Sequence, residues 1–178
     1  MKSILLAACL LLPLLTPVAR AQSALQDKLR ETISLYGHRN WIVVADAAYP
    51  AQTSPGVETI HIGGNQVDAV KEVLAALAAT KHVQPIIHLD AELKHLDEKL
   101  APGVIAYRNG LKALLGSRHT EEEPHEDIIK KIDAAGQTFR VLILKTDCVV
   151  PYSSVFLQLD CGYWSVEKEK QLREAMAK

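Results

Sequence analysis

The sequence predicts a layered α/β domain, with helices on both faces of a mainly parallel sheet. Strand-like and helical runs alternate along the chain, the pattern of a sheet whose crossovers are helices. The run Trp41 to Asp46 is apolar without alternation, as in a strand covered on both faces. No internal repeat or low-complexity linker divides the chain, and a length of 178 residues suits one domain with a core of its own.

The elements follow in order. SALQDKLRETISLYG places Leu25, Leu29, Ile33 and Tyr36 at helical spacing, with Gly37 where helices often end. WIVVADAAYP is a buried strand ending in small residues and a turn at Pro50. VETIHIGG is a second short strand with a glycine turn. NQVDAVKEVLAALAAT is an amphipathic helix with Val67, Val70, Val73, Leu74 and Leu77 inward and Asn65 as its cap. VQPIIHLD is a third strand, in which Pro85 belongs near the start or at an edge. Helical pieces AELKHLDEKLA and YRNGLKALLG follow, separated by Pro102-Gly103. SRHTEEEPH is expected as a polar surface loop. Pro124 can begin the helix HEDIIKKIDAAG, with Gly136 ending it. TFRVLILKTD and SSVFLQLDCG are two further strands around a turn at Pro151, and WSVEKEKQLREAMAK is a charged closing helix.

The start of the chain is expected to be a leader. Lys2, the apolar stretch Ile4 to Val18 broken by Pro13 and Pro17, and Ala19-Arg20-Ala21 form a signal-peptide pattern. The stretch is short of the roughly 20 residues of a comfortable bilayer span. Cleavage after Ala21 gives a mature chain Gln22 to Lys178, exported to the periplasm or the exterior, with no stable membrane insertion. A lipoprotein at Cys9 or a retained anchor is the alternative. Of the 20 Lys and Arg, Lys2 and Arg20 leave with the leader, so the 21 Asp and Glu make the mature chain slightly acidic. With no basic block, nucleic acid is not the expected partner. Only Cys148 and Cys161 remain. If their strands formed a hairpin the two would stand roughly 20 Å apart, beyond disulfide reach. Two free thiols are expected, or one intermolecular bridge.

In open α/β sheets ligands bind beyond the carboxyl ends of the strands. Asp46 and Asp147 stand at such ends, although either could simply make a loop or capping bond. His38, between a helix end and a strand start, could be satisfied by the last helix carbonyls. Gly63-Gly64 lacks the spacing of a dinucleotide loop, and neither a phosphate-cradling motif nor a nucleophile elbow around Ser165 is present. His88, Asp90, Glu92 and His95 form one polar cluster; His119, Glu121 to Glu123 and His125 form another. Neither has a recognised zinc spacing, so no metal or other cofactor is expected.

Three segments in order, LYGHRNWIVVADAAYP, EPHEDIIKKI and KTDCVVPYSSVFLQLDCG, resemble the RbsD/FucU family, the D-ribose pyranases and L-fucose mutarotases. Together they span nearly the whole mature chain. The resemblance implies that His38 takes the position of the catalytic general acid and Asp46 that of the sugar-binding aspartate. His125 matches the second pocket histidine, Tyr152 the pocket tyrosine, and Ser154 stands where the family has asparagine. It further implies a ring-like homo-oligomer with pockets completed across a subunit contact, and a monosaccharide ligand. Interconverting ring forms of a reducing sugar requires a proton delivered to the ring oxygen and one removed from the anomeric hydroxyl. A histidine, with an ordinary pKa near 6.5, suits either transfer.

The chain departs from the family in three ways. Asn40, preceded by Arg39, replaces the usual acid two residues after the histidine. Ser154 offers one hydroxyl in place of an amide with separate donor and acceptor ends. The leader and an additional C-terminal helix from about Tyr163 are extra. The expected function is a mutarotase- or pyranase-like isomerase; the alternatives are a non-catalytic sugar-binding protein, or a structural subunit on the same fold.

Overall fold

The computed structural model describes residues 17–177; residues 1–16, on which most of the expected leader and Cys9 fall, lie outside them. Among the described residues there are six strands: β1 (Trp41–Ala45), β2 (Val57–His61), β3 (Val83–Asp90), β4 (Thr120–Glu123), β5 (Val141–Lys145) and β6 (Val155–Cys161). The helices are α1 (Pro17–Leu35), α2 (Gln66–Ala78), α3 (Val104–Leu115), α4 (His125–Thr138) and α5 (Val166–Met176), with a short 3-10 helix at Ala91–His95. The strands form one sheet in the order β2-β5-β1-β6-β3-β4. Only β6 runs against its neighbours, antiparallel to both β1 and β3; the other pairings are parallel. The architecture is the layered, mostly parallel α/β fold that the alternating pattern predicts.

Alternate side chains of the central strands point to opposite faces, which explains the unbroken apolar runs. Ile42, Val44, Leu142 and Leu144 pack with Leu29 and Ile33 of α1, Val70, Val73 and Leu77 of α2, and Val104 and Leu111 of α3. Trp41, Val43, Ala45, Val141 and Ile143 face the other way, onto Ile128 and Ile132 of α4. Those two isoleucines are fully buried, worth roughly 1.5–3 kcal/mol each relative to exposure, and they fix α4 on its face of the sheet.

Asn65 caps α2 as expected, accepting a hydrogen bond from the Asp68 N–H at 3.1 Å. Pro85 lies inside β3 opposite Leu159 of β6. The other neighbour, β4, pairs only from Ile87 onward, so at Pro85 that side of β3 carries no ladder and the missing N–H costs nothing.

Three expectations are corrected. The piece AELKHLDEKLA is helical only over Ala91–His95, and there as a 3-10 helix. The segment SRHTEEEPH is not all loop: Thr120–Glu123 is an edge strand. Its charges obscure it in the sequence, yet charge is what protects an exposed sheet edge from further pairing. Gly136 does not end its helix but lies within α4. There it allows close approach of the chain entering β2: Gly56 N–H donates to Gly136 O at 2.9 Å. The hairpin premise for the cysteines also lapses, because β1 lies between β5 and β6; both Cys148 and Cys161 are nonetheless free thiols.

Helix α5 buries none of its residues. Ser165 caps it and Arg173 pairs with Glu169 at 2.7 Å, while Val166, Leu172 and Met176 remain exposed.

Gly56 and Gly110 should respond oppositely to a methyl group. A Cβ at Gly56 would sit 2.1 Å from Phe139 O and 2.6 Å from Gly136 O, both rigid backbone atoms. At Gly110, inside α3, it would meet Val67 methyls at an ordinary 3.6 Å. Thermal unfolding should show Gly56→Ala destabilised by at least about 2 kcal/mol. Gly110→Ala should be neutral or stabilised by up to roughly 1 kcal/mol.

Candidate functional site

The sheet register assembles the site. Val155 stands opposite Val44 on one side and Leu89 on the other. One step beyond, Ser154 faces the ends of β1 and β3, where Asp46 and Asp90 leave the sheet. Because β6 is antiparallel, its amino end shares an edge with the carboxyl ends of its two neighbours.

Asp46 and Ser154 hold each other. The Ser154 hydroxyl donates to Asp46 Oδ2 at 2.9 Å and accepts from the Asp46 N–H at 3.2 Å. Asp46 Oδ1 accepts from the Ala48 N–H at 2.8 Å. The carboxylate is thus fixed by the Ser154 hydroxyl and the Ala48 N–H.

The loop carrying Tyr152 and Ser154 is tied down from beneath. Gln66 Nε2 and the Tyr107 hydroxyl both donate to the Ser153 carbonyl, the latter at 2.5 Å. The Thr146 hydroxyl lies 3.0 Å from Gln66 Oε1 and 3.1 Å from Ala45 O. Ser153 Oγ donates to Val150 O at 2.6 Å. Burial pushes the Tyr107 hydroxyl well above its ordinary pKa, keeping it a donor. Tyr152 itself adopts a left-handed backbone, φ 56°, a conformation unusual for a bulky residue that the anchored neighbours sustain. Its ring meets His125 edge-on at 5.5 Å between centroids.

His125 is the first residue of α4, with one carboxylate at its backbone and another near its ring. Its backbone N–H lies 3.1 Å from both carboxylate oxygens of Glu92. Its ring Nδ1 lies 3.1 Å from Asp90 Oδ1, close but out of line for a full hydrogen bond. Asp90 is almost wholly buried, and neither of its oxygens has a well-aligned partner. Burial, only partly offset by His125, raises its pKa to about 6, with Glu92 and Asp46 adding repulsion. The Tyr49 hydroxyl is also buried without a partner, and burial raises its pKa, helped by the charges of Asp133, Asp90 and Asp46.

Asp46, His125, Tyr152 and Ser154 therefore meet at one edge of the sheet, whereas His38 does not join them. It is exposed, at the entry to β1, and the five residues of that strand span roughly 16 Å. The ring makes no hydrogen bond to any described residue. Asn40 turns away from it, accepting from the Gly37 N–H at 2.9 Å and donating to Arg140 O at 3.3 Å. Asp147, the other strand-end aspartate, is exposed and serves the Gly63-Gly64 turn, accepting from the Gly64 N–H at 2.7 Å with His61 Nε2 at 3.1 Å. It takes the capping role, and its pKa is lowered by those bonds.

The two polar clusters of the sequence recombine because β4 is a strand. His88, buried and tilted against Trp41 at 5.1 Å, places Nδ1 2.7 Å from Glu123 and 3.3 Å from Glu121. Lys131 binds the same Glu123 carboxylate, while His88 Nε2 is buried without a partner. Burial alone would raise the Glu123 pKa; the bonds from Lys131 and His88 outweigh it, and the net direction is down. The rule that singles out Asp46 and Asp147 applies equally to Asp90 at the end of β3. Asp90 is the site residue the sequence reading leaves among the clusters.

Asp90 gives a stability prediction. Its pKa is near 3.8 when solvated and about 6 in the fold, so between those values the folded chain holds more protons than the unfolded one. Stability should fall as pH rises through that window, by roughly 3 kcal/mol in all. Denaturant unfolding should find Asp90→Asn more stable than the parent at neutral pH, with the gain fading below about pH 4.

Comparison with known proteins accords with this geometry. The model of the RbsD / FucU transport protein family matches residues 20–161. A search of curated proteins finds no match. Among solved structures, Bacillus subtilis RbsD complexed with D-ribose superposes with TM-score 0.53 at 18% identity, covering 75% of this chain and 91% of that one. The fucose mutarotase of Streptococcus pneumoniae, in complex with L-fucose, gives 0.51 at 19% identity over 75% and 91%. FucU from Bifidobacterium longum gives 0.50 at 16% identity over 75% and 92%. At such identities the superpositions speak for the fold, and the family model, spanning most of the sequence, decides membership: this chain belongs to the RbsD / FucU transport protein family.

Proposed function

We propose that this protein is a monosaccharide mutarotase or pyranase, interconverting ring forms or anomers by acid–base catalysis. The supporting observation is the meeting of Asp46, His125, Tyr152 and Ser154 at one sheet edge, in a family whose structures include complexes with D-ribose and L-fucose. Asp46, held by Ser154 and the Ala48 N–H, presents a fixed acceptor for sugar hydroxyls. Tyr152 supplies a hydroxyl and an aromatic edge beside His125.

In the proposed reaction His125 takes the proton of the anomeric hydroxyl. That oxygen's electron pair forms the carbonyl as the bond from the anomeric carbon to the ring oxygen breaks. The ring oxygen takes a proton from His38, and reclosure reverses each transfer. The chemistry needs no metal, nucleotide or covalent intermediate.

His38 stands away from the pocket of its own subunit, so the proposal includes a homo-oligomer in which His38 of one copy completes the pocket of the next. It also includes export of the mature chain after cleavage behind Ala21. The added α5, outside the family match, would then present its exposed Val166, Leu172 and Met176 near subunit contacts. A second reading, sugar binding without catalysis, is favoured by the same separation should the copies not assemble with His38 at the pocket.

NMR magnetisation transfer on reducing sugars (ribose, fucose, galactose, glucose, xylose, rhamnose) should show protein-dependent exchange, lost in His38→Ala and in Asp46→Asn. Co-refolding the two variants in equal amounts should restore roughly a quarter of parental activity. That is the statistical share of heterologous contacts in which an intact His38 meets an intact Asp46. Saturable binding with no acceleration would select the binding reading. Loss of activity in each variant with none regained on mixing would contradict the shared pocket.

A further inference from the structure

We infer that Asp90 is a positioning residue that holds His125 by Nδ1 and so leaves Nε2 as the proton acceptor facing the sugar. This rests on the isomerase reading for its chemical purpose, though not for its geometry. Asp90 Oδ1 lies 3.1 Å from His125 Nδ1, and its side chain is wholly buried, against 30% exposure for that of His125. A buried carboxylate with no aligned donor costs several kcal/mol in an apolar setting. The one ring nitrogen beside it offers relief by a small rotation of the imidazole. Once Nδ1–H donates to Asp90, the lone pair of the neutral ring sits on Nε2, on the side of the ring away from Asp90. The second partner of a histidine fixes both tautomer and orientation in this way in many sites.

The surroundings favour this arrangement over a purely structural ion pair. Glu92 holds the His125 backbone, so Asp90 is free to serve the ring alone. Pro124, which precedes His125, has no N–H to compete for either carboxylate. Tyr152 borders the ring edge-on and limits its swing. The charged and titratable groups around the pair are Glu92 from the 3-10 helix, Asp46 from the end of β1, Tyr49 beyond it and Tyr152 from the loop before β6. No cation among these competes with His125 for Asp90. The Asp90-Ala91-Glu92 tripeptide thus grips one histidine by ring and by backbone.

Three variants test the assignment in the full mature protein. Asp90→Asn keeps the shape and removes the charge, Asp90→Glu keeps the charge, and Asp90→Leu removes the acceptor. Asp90→Asn should slow ring exchange roughly 10–100-fold, with KM changed by less than about threefold and the acid limb of the pH–rate profile displaced. Asp90→Glu should recover part of that loss. Imidazole 15N shifts at about pH 8 should report a protonated Nδ1 on His125 in the parent and a protonated Nε2 in Asp90→Leu. A rate for Asp90→Asn within about threefold of the parent would overturn the inference. An unchanged His125 tautomer in a folded Asp90→Leu would overturn it as well. Should the parent exchange none of the sugars, the isomerase reading fails alone; the nitrogen shifts then decide the Asp90–His125 link by themselves.

Discussion

The structure depends on one antiparallel strand set among parallel ones. If β6 ran parallel to β1 and β3, its amino end would lie at the opposite side of the sheet and Ser154 could not reach Asp46. Reversed, it carries Tyr152, Ser153 and Ser154 back to the edge where β1 releases Asp46 and β3 releases Asp90. A crevice at the carboxyl ends of strands is the ordinary ligand position of such sheets. Here the reversal furnishes that edge of the sheet with a second set of polar side chains. The remaining elements support this junction: Gln66 from α2 and Tyr107 from α3 fasten the Ser153 carbonyl from one face, and α4, seated by Ile128 and Ile132, brings His125 from the other.

Electrostatics at the junction run against stability. Asp90 and the Tyr49 hydroxyl are buried without aligned partners, and both have raised pKa values. A fold seeking only stability would place apolar groups there. Unpaired polar atoms of this kind cluster where a protein meets a ligand, and the dense apolar layers on both faces of the sheet supply the stability to retain them. The cluster of His88, Glu121, Glu123 and Lys131 differs in that both carboxylates have side-chain partners within the chain, His88 and Lys131 at Glu123 and His88 at Glu121, although His88 Nε2 is also buried without a partner.

Much of this was legible in the sequence, and the losses have physical causes. The unbroken run of β1 announced burial on both faces, and Asn65 announced the start of α2. Asp46 and Ser154 could be placed by motif, and His125 by its histidine-acidic helix. β4 was hidden because four charged and polar residues at a sheet edge look like loop. Gly136 looked like a helix end because a glycine needed for close approach to Gly56 has the same letter as one needed for a turn. Asp90 was overlooked because it was grouped with His88, Glu92 and His95 as one polar cluster, when only the fold shows that Asp90 and Glu92 turn to His125 and His88 turns to β4. The distance from His38 to the pocket is a property of the folded strand between them, which no motif discloses.

The central claim is that the edge shared by β1, β3 and β6 receives a monosaccharide. A crystal structure of the chain from Gln22 onward, grown with saturating D-ribose or L-fucose, tests it most directly. The account predicts a sugar seated between Asp46, Tyr152 and the Nε2 side of His125, with His38 of a neighbouring copy brought against it. A sugar bound elsewhere on the chain, with this edge filled only by ordered water, would contradict it.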